Sequence, residues 1–387
     1  MGSNDELARR RSLRVMCWIY LGFAMPIAML GVAWPEIRDE LGRSNSALGI
    51  LATSYGIGRL ALSGSGGLQL RNRSFGPAVA LAVGALGVAS LAVAAAPSWP
   101  VLLVAVLGTG LASGALDSLG GRYIAASRSV GMAGLLAGSY GVGATIGPLV
   151  VAFGDRWRWA YVLAGVVALS GAVLVARPSL VWPPVTDHEA EDDDVAARPP
   201  VSWRSPAVVA SLLLMVSFVG LEVTMGQWTA TYLEDARSID DRIAGLAVSG
   251  FWGGATVGRL VLSRLELGSR HLPALTLGVV AAVGTLAVLP GAAVVAAGIA
   301  VGLALAPFFP VIMATTAERV GTAAAPRVSG WQLVAGNVGA TTIPALTGVA
   351  VALTDERAPF GVLLAVCALG AVALVLTRRA TEAAAAA

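Results

Sequence analysis

Long apolar stretches alternate with short polar segments along almost the whole chain. The hydrocarbon core of a bilayer is about 30 Å thick, so a helix needs about 20 apolar residues to cross it. Stretches that meet this requirement are residues 14–34, 46–64, 77–96, 100–126, 131–152, 157–177, 205–233, 243–265, 272–289, 291–317, 326–353 and 357–377. The pattern therefore predicts an all-α integral membrane protein with twelve transmembrane helices.

The composition agrees with this pattern. Hydrophobic residues make up 56% of the 387 residues and charged residues only 13%, whereas about 25% is usual for soluble domains. The mean hydropathy is +0.77, so we expect the lipid bilayer to be the solvent of this chain. Cys17 and Cys367 both fall within predicted helices, and they indicate neither a disulfide framework nor a metal site. We expect no cofactor.

The distribution of basic residues predicts the orientation in the membrane. All 26 basic residues are arginines, and a cytoplasmic N-terminus places most of the loop arginines on the cytoplasmic side, as the positive-inside rule requires. Both termini would then be cytoplasmic, and we expect the protein to lie in the inner (plasma) membrane of the cell. No compact basic patch interleaved with aromatic residues is present, so the isoelectric point of about 9.2 indicates orientation and not nucleic-acid binding.

A proline-rich segment with an acidic run, Glu189 to Asp194, separates the predicted helices into two sets of six. Such a composition favours a hydrated linker over a folded unit. The predicted segments are a cytoplasmic tail, a six-helix bundle, a cytoplasmic linker, a second six-helix bundle and a second tail, at residues 1–13, 14–177, 178–204, 205–377 and 378–387.

Two short sequence repeats relate the predicted bundles to each other. GRLALS at 58–63 returns as GRLVLS at 258–263, and VGATIGP at 142–148 returns as VGATTIP at 338–344. The repeats fall in the second and eighth and in the fifth and eleventh predicted helices, with nearly equal offsets. We interpret the halves as copies of one unit, an arrangement that is typical of transporters with a substrate site between the halves.

With these repeats, the chain resembles the major facilitator superfamily over essentially its whole length. Gly134, Gly143, Gly147 and Pro148 match part of the glycine and proline pattern of the family's antiporters. Four segments are similar to the fucose:proton symporter-like branch, which carries sugars: GALDS at 114–118, GLEVTMGQWTATYL at 220–233, PFFPVIMATTAERVG at 307–321 and GWQLVAGNVGATTIPALTG at 330–348. The resemblance implies two pseudosymmetric bundles, transport by alternating access and a monomeric protein. The loop GGLQLRNRSFGP after the second helix lacks the acid that is usual there, which departs from the family's gate motif.

Two acidic residues lie inside predicted helices. A charge at the bilayer centre costs about 2.5–3.5 kcal/mol even on a gentle scale, and such residues usually have a function. Asp117 and Glu222 lie far enough along their helices to be near mid-depth. Because burial disfavours a charged carboxylate, we expect both to carry protons. A structural acid held by a neighbouring arginine is the alternative.

The repeated arginines, Arg59 and Arg259, lie closer to the cytoplasmic ends of their helices. One hypothesis is a symmetric clamp in which both guanidinium groups hold an anionic substrate. The favoured interpretation is a gating or anchoring role, with each arginine opposite acids or backbone carbonyls of its own half. We assign gating or structural roles also to Arg122, Gly143, Gly147, Pro148 and Pro344.

Other polar and aromatic residues in the seventh and eleventh predicted helices are candidates for substrate contacts. Amide groups suit substrate hydroxyls, and indole rings stack on sugars, although most membrane tryptophans are interfacial. The predicted substrate-binding residues are Gln227, Trp228, Tyr232, Trp331, Gln332 and Asn337.

These observations lead to a functional prediction. There is no P-loop motif and no hydrolytic constellation, so we do not expect an enzyme. We predict a proton-coupled secondary transporter of a small polar organic solute, with a sugar-like solute as one candidate. The alternatives are a proton-antiport exporter of drugs or metabolites, indicated by the fifth helix, and a non-transporting membrane sensor or scaffold.

Overall fold

The computed structural model describes residues 3–63, 74–127, 130–177, 180–182, 202–262, 265 and 267–386. These residues form an all-helical bundle. The first half contains six long helices: α1 (Ser3–Leu41), α2 (Ala47–Ser63), α3 (Phe75–Ala95), α4 (Trp99–Ser127), α5 (Val130–Phe153) and α6 (Trp157–Val175).

The second half repeats this arrangement with two local irregularities. Its helices are α7 (Pro206–Thr231), α8 (Asp241–Leu262), α9 (Leu272–Val288), α10 (Ala293–Leu305), α11 (Ala325–Leu353) and α12 (Ala358–Ala386). A π-helical turn, Tyr232–Ala236, extends α7. Two short helices, Phe308–Ala314 and Thr316–Val320, continue the path of α10.

Within the described residues, ten of the helices are long and apolar enough to cross a membrane. The 17-residue α2 and α8, which carries Asp241, Arg242 and Arg259, pack among them. Large apolar side chains point outward from the bundle, among them Val104, Val173, Leu277, Val288 and Leu353. An apolar exterior of this kind suits lipid and not water.

The same helix pairings occur in both halves. In the first half α1 packs on α5, α2 on α4 and α3 on α6, and in the second half α7 packs on α11, α8 on α10 and α9 on α12. The halves meet through α1 with α7, α2 with α11 and α5 with α8. These pairings are those of a pseudosymmetric doubled bundle, as the sequence repeats predicted.

Small residues allow the halves to pack closely at the end opposite the chain termini, here called the opposite face. A Cβ added at Gly49 of α2 would lie 2.9 Å from the Cα atom of Gly348 of α11. The Ser249 hydroxyl of α8 donates to the carbonyl oxygen of Thr145 of α5 at 2.8 Å. These contacts close the opposite face between the two halves.

An ion-pair network adds to this closure. Arg38 at the end of α1 pairs with Asp235 after α7 at 2.7 Å and also donates to Asn45. Asn45 in turn donates to Asp235 at 3.0 Å. The network therefore joins the first half to the second, whereas the nearby pair between Glu40 and Arg158 lies within the first half.

The helix ends differ from the predicted spans in places. α1 begins at Ser3, before the predicted start at residue 14. The predicted span 291–317 is interrupted at Ala306 and Pro307, because proline cannot continue the hydrogen-bond ladder of a helix interior. Most of the predicted linker 178–204 lies outside the described residues. Within it, the Trp182 ring packs against Phe75 with centroids 5.6 Å apart.

Candidate functional site

A small cavity lies where the two halves meet. Its volume is about 30 Å³, which leaves room for only about two water molecules. The lining comes from both halves: Ile27, Tyr55, Gly56, Arg59, Tyr140, Val223, Gly226, Gln227, Trp252, Ala340 and Thr341. Here this space is called the central cavity. It combines a cation with residues from six helices.

Close helix packing positions the charged pair beside the central cavity. A Cβ added at Gly110 of α4 would overlap the carbonyl oxygen of Tyr55 of α2, and one at Gly114 would overlap that of Arg59. Glycine is therefore required where the α2 and α4 backbones touch. This contact brings the Arg59 side chain to Asp117, with Nε and Oδ2 2.7 Å apart.

A second charged pair lies in the other half. Arg259 of α8 donates from Nη2 to Oε1 of Glu222 of α7 at 2.5 Å. The Glu222 side chain is 18% exposed and that of Asp117 is 27% exposed. Each arginine thus pairs with an acid of its own half, so the two guanidinium groups are not both free in this structure. Their gating or anchoring role stays a prediction.

The acids of the two pairs come from different helices of the repeat. Asp117 lies on α4, whereas Glu222 lies on α7, the counterpart of α1. The spacing that relates Arg59 to Arg259 relates Glu222 to Gly22. The arginines are therefore symmetric and the acids are not.

Tyr140 of α5 lies between the two charged pairs. It lines the central cavity with Arg59 and is close enough to interact electrostatically with Asp117, Glu222 and Arg259. Sequence analysis missed Tyr140 and also Tyr55. The sequence signal for Tyr140 was a polar aromatic residue among the small residues of the fifth predicted helix.

Two buried polar atoms of the cavity lining have no hydrogen-bond partner among the described residues. They are Oε1 of Gln227, a residue that is 2% exposed, and Nε1 of Trp252, a residue that is 7% exposed. Buried polar groups are nearly always paired, so such exceptions point to a missing partner. The cavity consequently offers one unused acceptor and one unused donor.

Of the predicted substrate-binding residues, only Gln227 lines the central cavity. The Trp228 indole is buried behind it and donates to the carbonyl oxygen of Pro344 at 3.1 Å. Tyr232 stacks on Phe360 of α12, with ring centroids 5.6 Å apart. Neither ring lines the central cavity.

The three candidates of α11 also lie away from the lining. Gln332 is fully buried and accepts a hydrogen bond from Thr316 at 2.8 Å. Trp331 is half-exposed and contacts Trp203. Asn337 is half-buried one helical turn before Thr341, which does line the cavity.

The predicted gating and structural residues lie at helix contacts. A Cβ at Gly143 would overlap the carbonyl oxygen of Leu21 of α1, and one at Gly147 would lie 3.1 Å from that of Met25. Pro148 and Pro344 lie inside α5 and α11. The guanidinium of Arg122 lies over the Phe75 ring, 5.7 Å from its centroid. The described residues contain no cluster of potential metal ligands.

Solved structures of other proteins share this architecture. The chain superposes on a bacterial homologue of the human lysosomal transporter Spinster with a TM-score of 0.73 and 12% identity, covering 97% of each chain. The nucleoside transporter NupG gives a TM-score of 0.75 at 14% identity, covering 96% of this chain and 99% of that one. At such low sequence identity, these comparisons show that the fold is shared and nothing more.

Two curated proteins match part of the sequence. "Probable sulfoacetate transporter SauU" of Cupriavidus necator is 28% identical over 255 residues, which cover 60% of this chain and 59% of that protein. "Bypass of stop codon protein 6" of Saccharomyces cerevisiae is 25% identical over 221 residues, which cover 49% and 44%. The chain thus spans about half the length of these relatives.

The family model described as Major Facilitator Superfamily matches residues 16–240 and 210–387. These two matches together cover nearly the whole chain: the first runs from α1 to the end of α7 and its π-helical turn, and the second runs from α7 to α12. The chain is therefore a multi-pass membrane protein that belongs to the major facilitator superfamily.

Proposed function

We propose that this protein is a proton-coupled secondary transporter that moves a small polar organic solute through the central cavity by alternating access. The observation that carries the proposal is the Arg59–Asp117 pair, which lies at the cavity between two pseudosymmetric halves. Substrate sites of doubled transporters lie at such an interface. The names of SauU and NupG, a probable sulfoacetate transporter and a nucleoside transporter, support a small polar solute.

Proton coupling follows from the cost of buried charge. Asp117 and Glu222 lie within the bundle, and each accepts a hydrogen bond from one arginine. An acid that loses its arginine partner in a low-dielectric site takes up a proton more readily than it remains charged. A substrate that displaces either arginine from its acid would therefore favour protonation of that acid, and re-formation of the pair would release the proton.

The orientation and location belong to the same proposal. We place both termini in the cytoplasm and the protein in the plasma membrane, because this orientation keeps most loop arginines inside. In that orientation, the closed opposite face with its Arg38–Asp235 pair is external. The central cavity then communicates with the cytoplasm after the halves separate at the terminal end.

Transport by purified protein in liposomes tests the proposal. With Asp117→Asn, we expect uptake driven by a pH gradient to fall at least about tenfold, while substrate counterflow continues, because exchange needs no net proton movement. Unchanged gradient-driven uptake in this variant would contradict the coupling role. A gradient that drives efflux instead of uptake would favour the exporter, and binding without any flux would favour the sensor.

A further inference from the structure

The central cavity has hydrogen-bond donors that no described acceptor uses. Among the described residues, the Arg59 guanidinium makes one hydrogen bond, from Nε to Asp117, although it carries five N–H groups. The indole N–H of Trp252 is also unpaired. Surplus donors beside a cation select for a ligand that accepts hydrogen bonds and carries negative charge.

The unpaired acceptor of the cavity adds a second requirement for the ligand. Oε1 of Gln227 is buried without a partner and lies on the second half, across the cavity from Arg59. It can accept a hydrogen bond from a hydroxyl group. A ligand with an anionic group at one end and a hydroxyl group at the other would bridge the halves.

The bond between Arg59 and Asp117 is suited to exchange. It is a single contact through Nε and not a two-bond fork, and both side chains retain partial exposure, 23% and 27%. The planar guanidinium presents its two Nη groups as a further pair of donors. An incoming carboxylate or sulfonate can therefore bind the Nη groups before Asp117 leaves.

We propose that the central cavity, once separation of the halves at the terminal end widens it, binds a small hydroxylated organic anion, a carboxylate or sulfonate, which replaces Asp117 as the partner of Arg59. This inference rests on the proposed transport function and names its substrate class. Once displaced, Asp117 has no cation to offset its buried charge, so it takes up one proton from water. One anion and one proton enter together, and the net charge of the site stays the same.

The charged and titratable groups that face Asp117 are consistent with this exchange. Among the described residues they include Arg59 and Tyr55 on α2, Tyr20 on α1 and Tyr140 on α5. Arg59 is the one cation among them. When the anion occupies Arg59, no other described cation in this group offsets a charged Asp117.

Anion and neutral probes of matched shape test the substrate class. Gluconate is compared with glucitol, and 2-hydroxyethanesulfonate with ethylene glycol, in proteoliposomes that contain a pH-sensitive dye. We expect an inward gradient of at least one anion to acidify the lumen without creating a membrane potential, and the neutral partner to cause no acidification. Acidification by the neutral probes but not by the anions would overturn the anion inference and leave the transport function standing. Absence of acidification with every probe would overturn both.

Two variants separate the roles of Arg59 and Asp117. Asp117→Asn removes the competing carboxylate, so we expect it to bind the transported anion about tenfold more tightly but to move no protons with it. The double variant Arg59→Gln with Asp117→Asn keeps a neutral hydrogen-bonded pair at the same place. We expect its melting temperature to lie within a few degrees of that of the wild type. We expect its affinity for the anion to be lower by about 30-fold or more. Unchanged anion affinity in the double variant would overturn the inference.

Discussion

Arg59 and Arg259 occupy equivalent places in the two halves, yet only Arg59 lines the central cavity. Their partners explain the difference, because Asp117 lies on α4 and Glu222 on α7. The sequence predicted four charged residues within the membrane and, opposite each arginine, acids or backbone carbonyls of the same half. It left open whether each arginine lies opposite an acid or a backbone carbonyl and which acid pairs with which arginine, since that depends on helix rotation and depth.

The two buried glutamines allow a matched test at the residue scale. Each has one unpaired buried amide atom: Oε1 of Gln227 in the lining of the central cavity, and Nε2 of Gln332, which is buried against Thr316 away from that lining. We expect Gln227→Leu to weaken gluconate binding about tenfold, because one hydrogen bond is lost. Gln332→Leu should stay within about threefold of the wild type.

Isothermal titration of detergent-purified protein provides the measurement. Equal losses in the two glutamine variants would contradict the placement of the site, and so would a loss confined to Gln332→Leu. The latter result would instead support the substrate-binding role that the sequence assigned to Gln332.

At the scale of helices, the contact between α2 and α4 depends on backbone approach. Tyr55 and Arg59 of α2 present carbonyl oxygens to Gly110 and Gly114 of α4. The same helix also carries Gly108, whose added Cβ would meet the Cβ atom of Ala89 at an ordinary 3.5 Å. The glycines of α4 therefore differ in whether a larger residue fits without a clash.

Alanine substitutions in α4 test this difference. We expect Gly110→Ala to destabilise the protein by about 1–3 kcal/mol, because the new methyl group overlaps the Tyr55 carbonyl oxygen and forces the helices apart. Gly108→Ala should be neutral or stabilising, since alanine is the better helix former. Melting temperatures in detergent distinguish the two variants, and a Gly110→Ala protein as stable as Gly108→Ala would contradict the packing.

Sequence patterns predicted the elements well where hydrophobicity decides them. The predicted span 100–126 agrees closely with α4 (Trp99–Ser127), and the span 157–177 with α6 (Trp157–Val175). The interruption between α10 and Phe308–Ala314 and the π-helical turn after α7 were not predicted. Hydrophobic length does not determine such irregularities, because they depend on local hydrogen bonding and packing.

At the scale of the whole molecule, closure of the opposite face is shared between apolar packing and one polar network. Only the Arg38–Asp235 pair of that face joins the two halves by charge, among the ion pairs of the described residues. Glu40 and Arg158 form a pair of similar length, 2.7 Å, within the first half. The two pairs differ in whether they oppose separation of the halves.

Spin labels on the two halves measure this difference. Labels at Ser44→Cys and Glu356→Cys, with Cys17 and Cys367 replaced by serine, report the separation across the opposite face. A partly exposed ion pair contributes about 0.2–1 kcal/mol, so Asp235→Asn should raise the ratio of open to closed molecules by up to about fivefold.

Glu40→Gln is the matched control for that measurement. It removes an ion pair of the same face but leaves the contact between halves intact, so the distance distribution should match the wild type. A shift of equal size in both variants would show that closure does not depend on the Arg38–Asp235 pair.

The sequence alone determined that this chain is a doubled bundle of membrane helices. The bilayer admits few backbone arrangements, so the length of the hydrophobic stretches and the distribution of charge predict membrane helices. The sequence repeats indicate that the two halves are copies of one unit. The tertiary structure decided which side chains reach the central cavity. Tyr55, Tyr140 and Trp252 line it, while Trp228, Tyr232 and Gln332 pack elsewhere, because the rotation of each helix is set by contacts with residues that are distant in sequence.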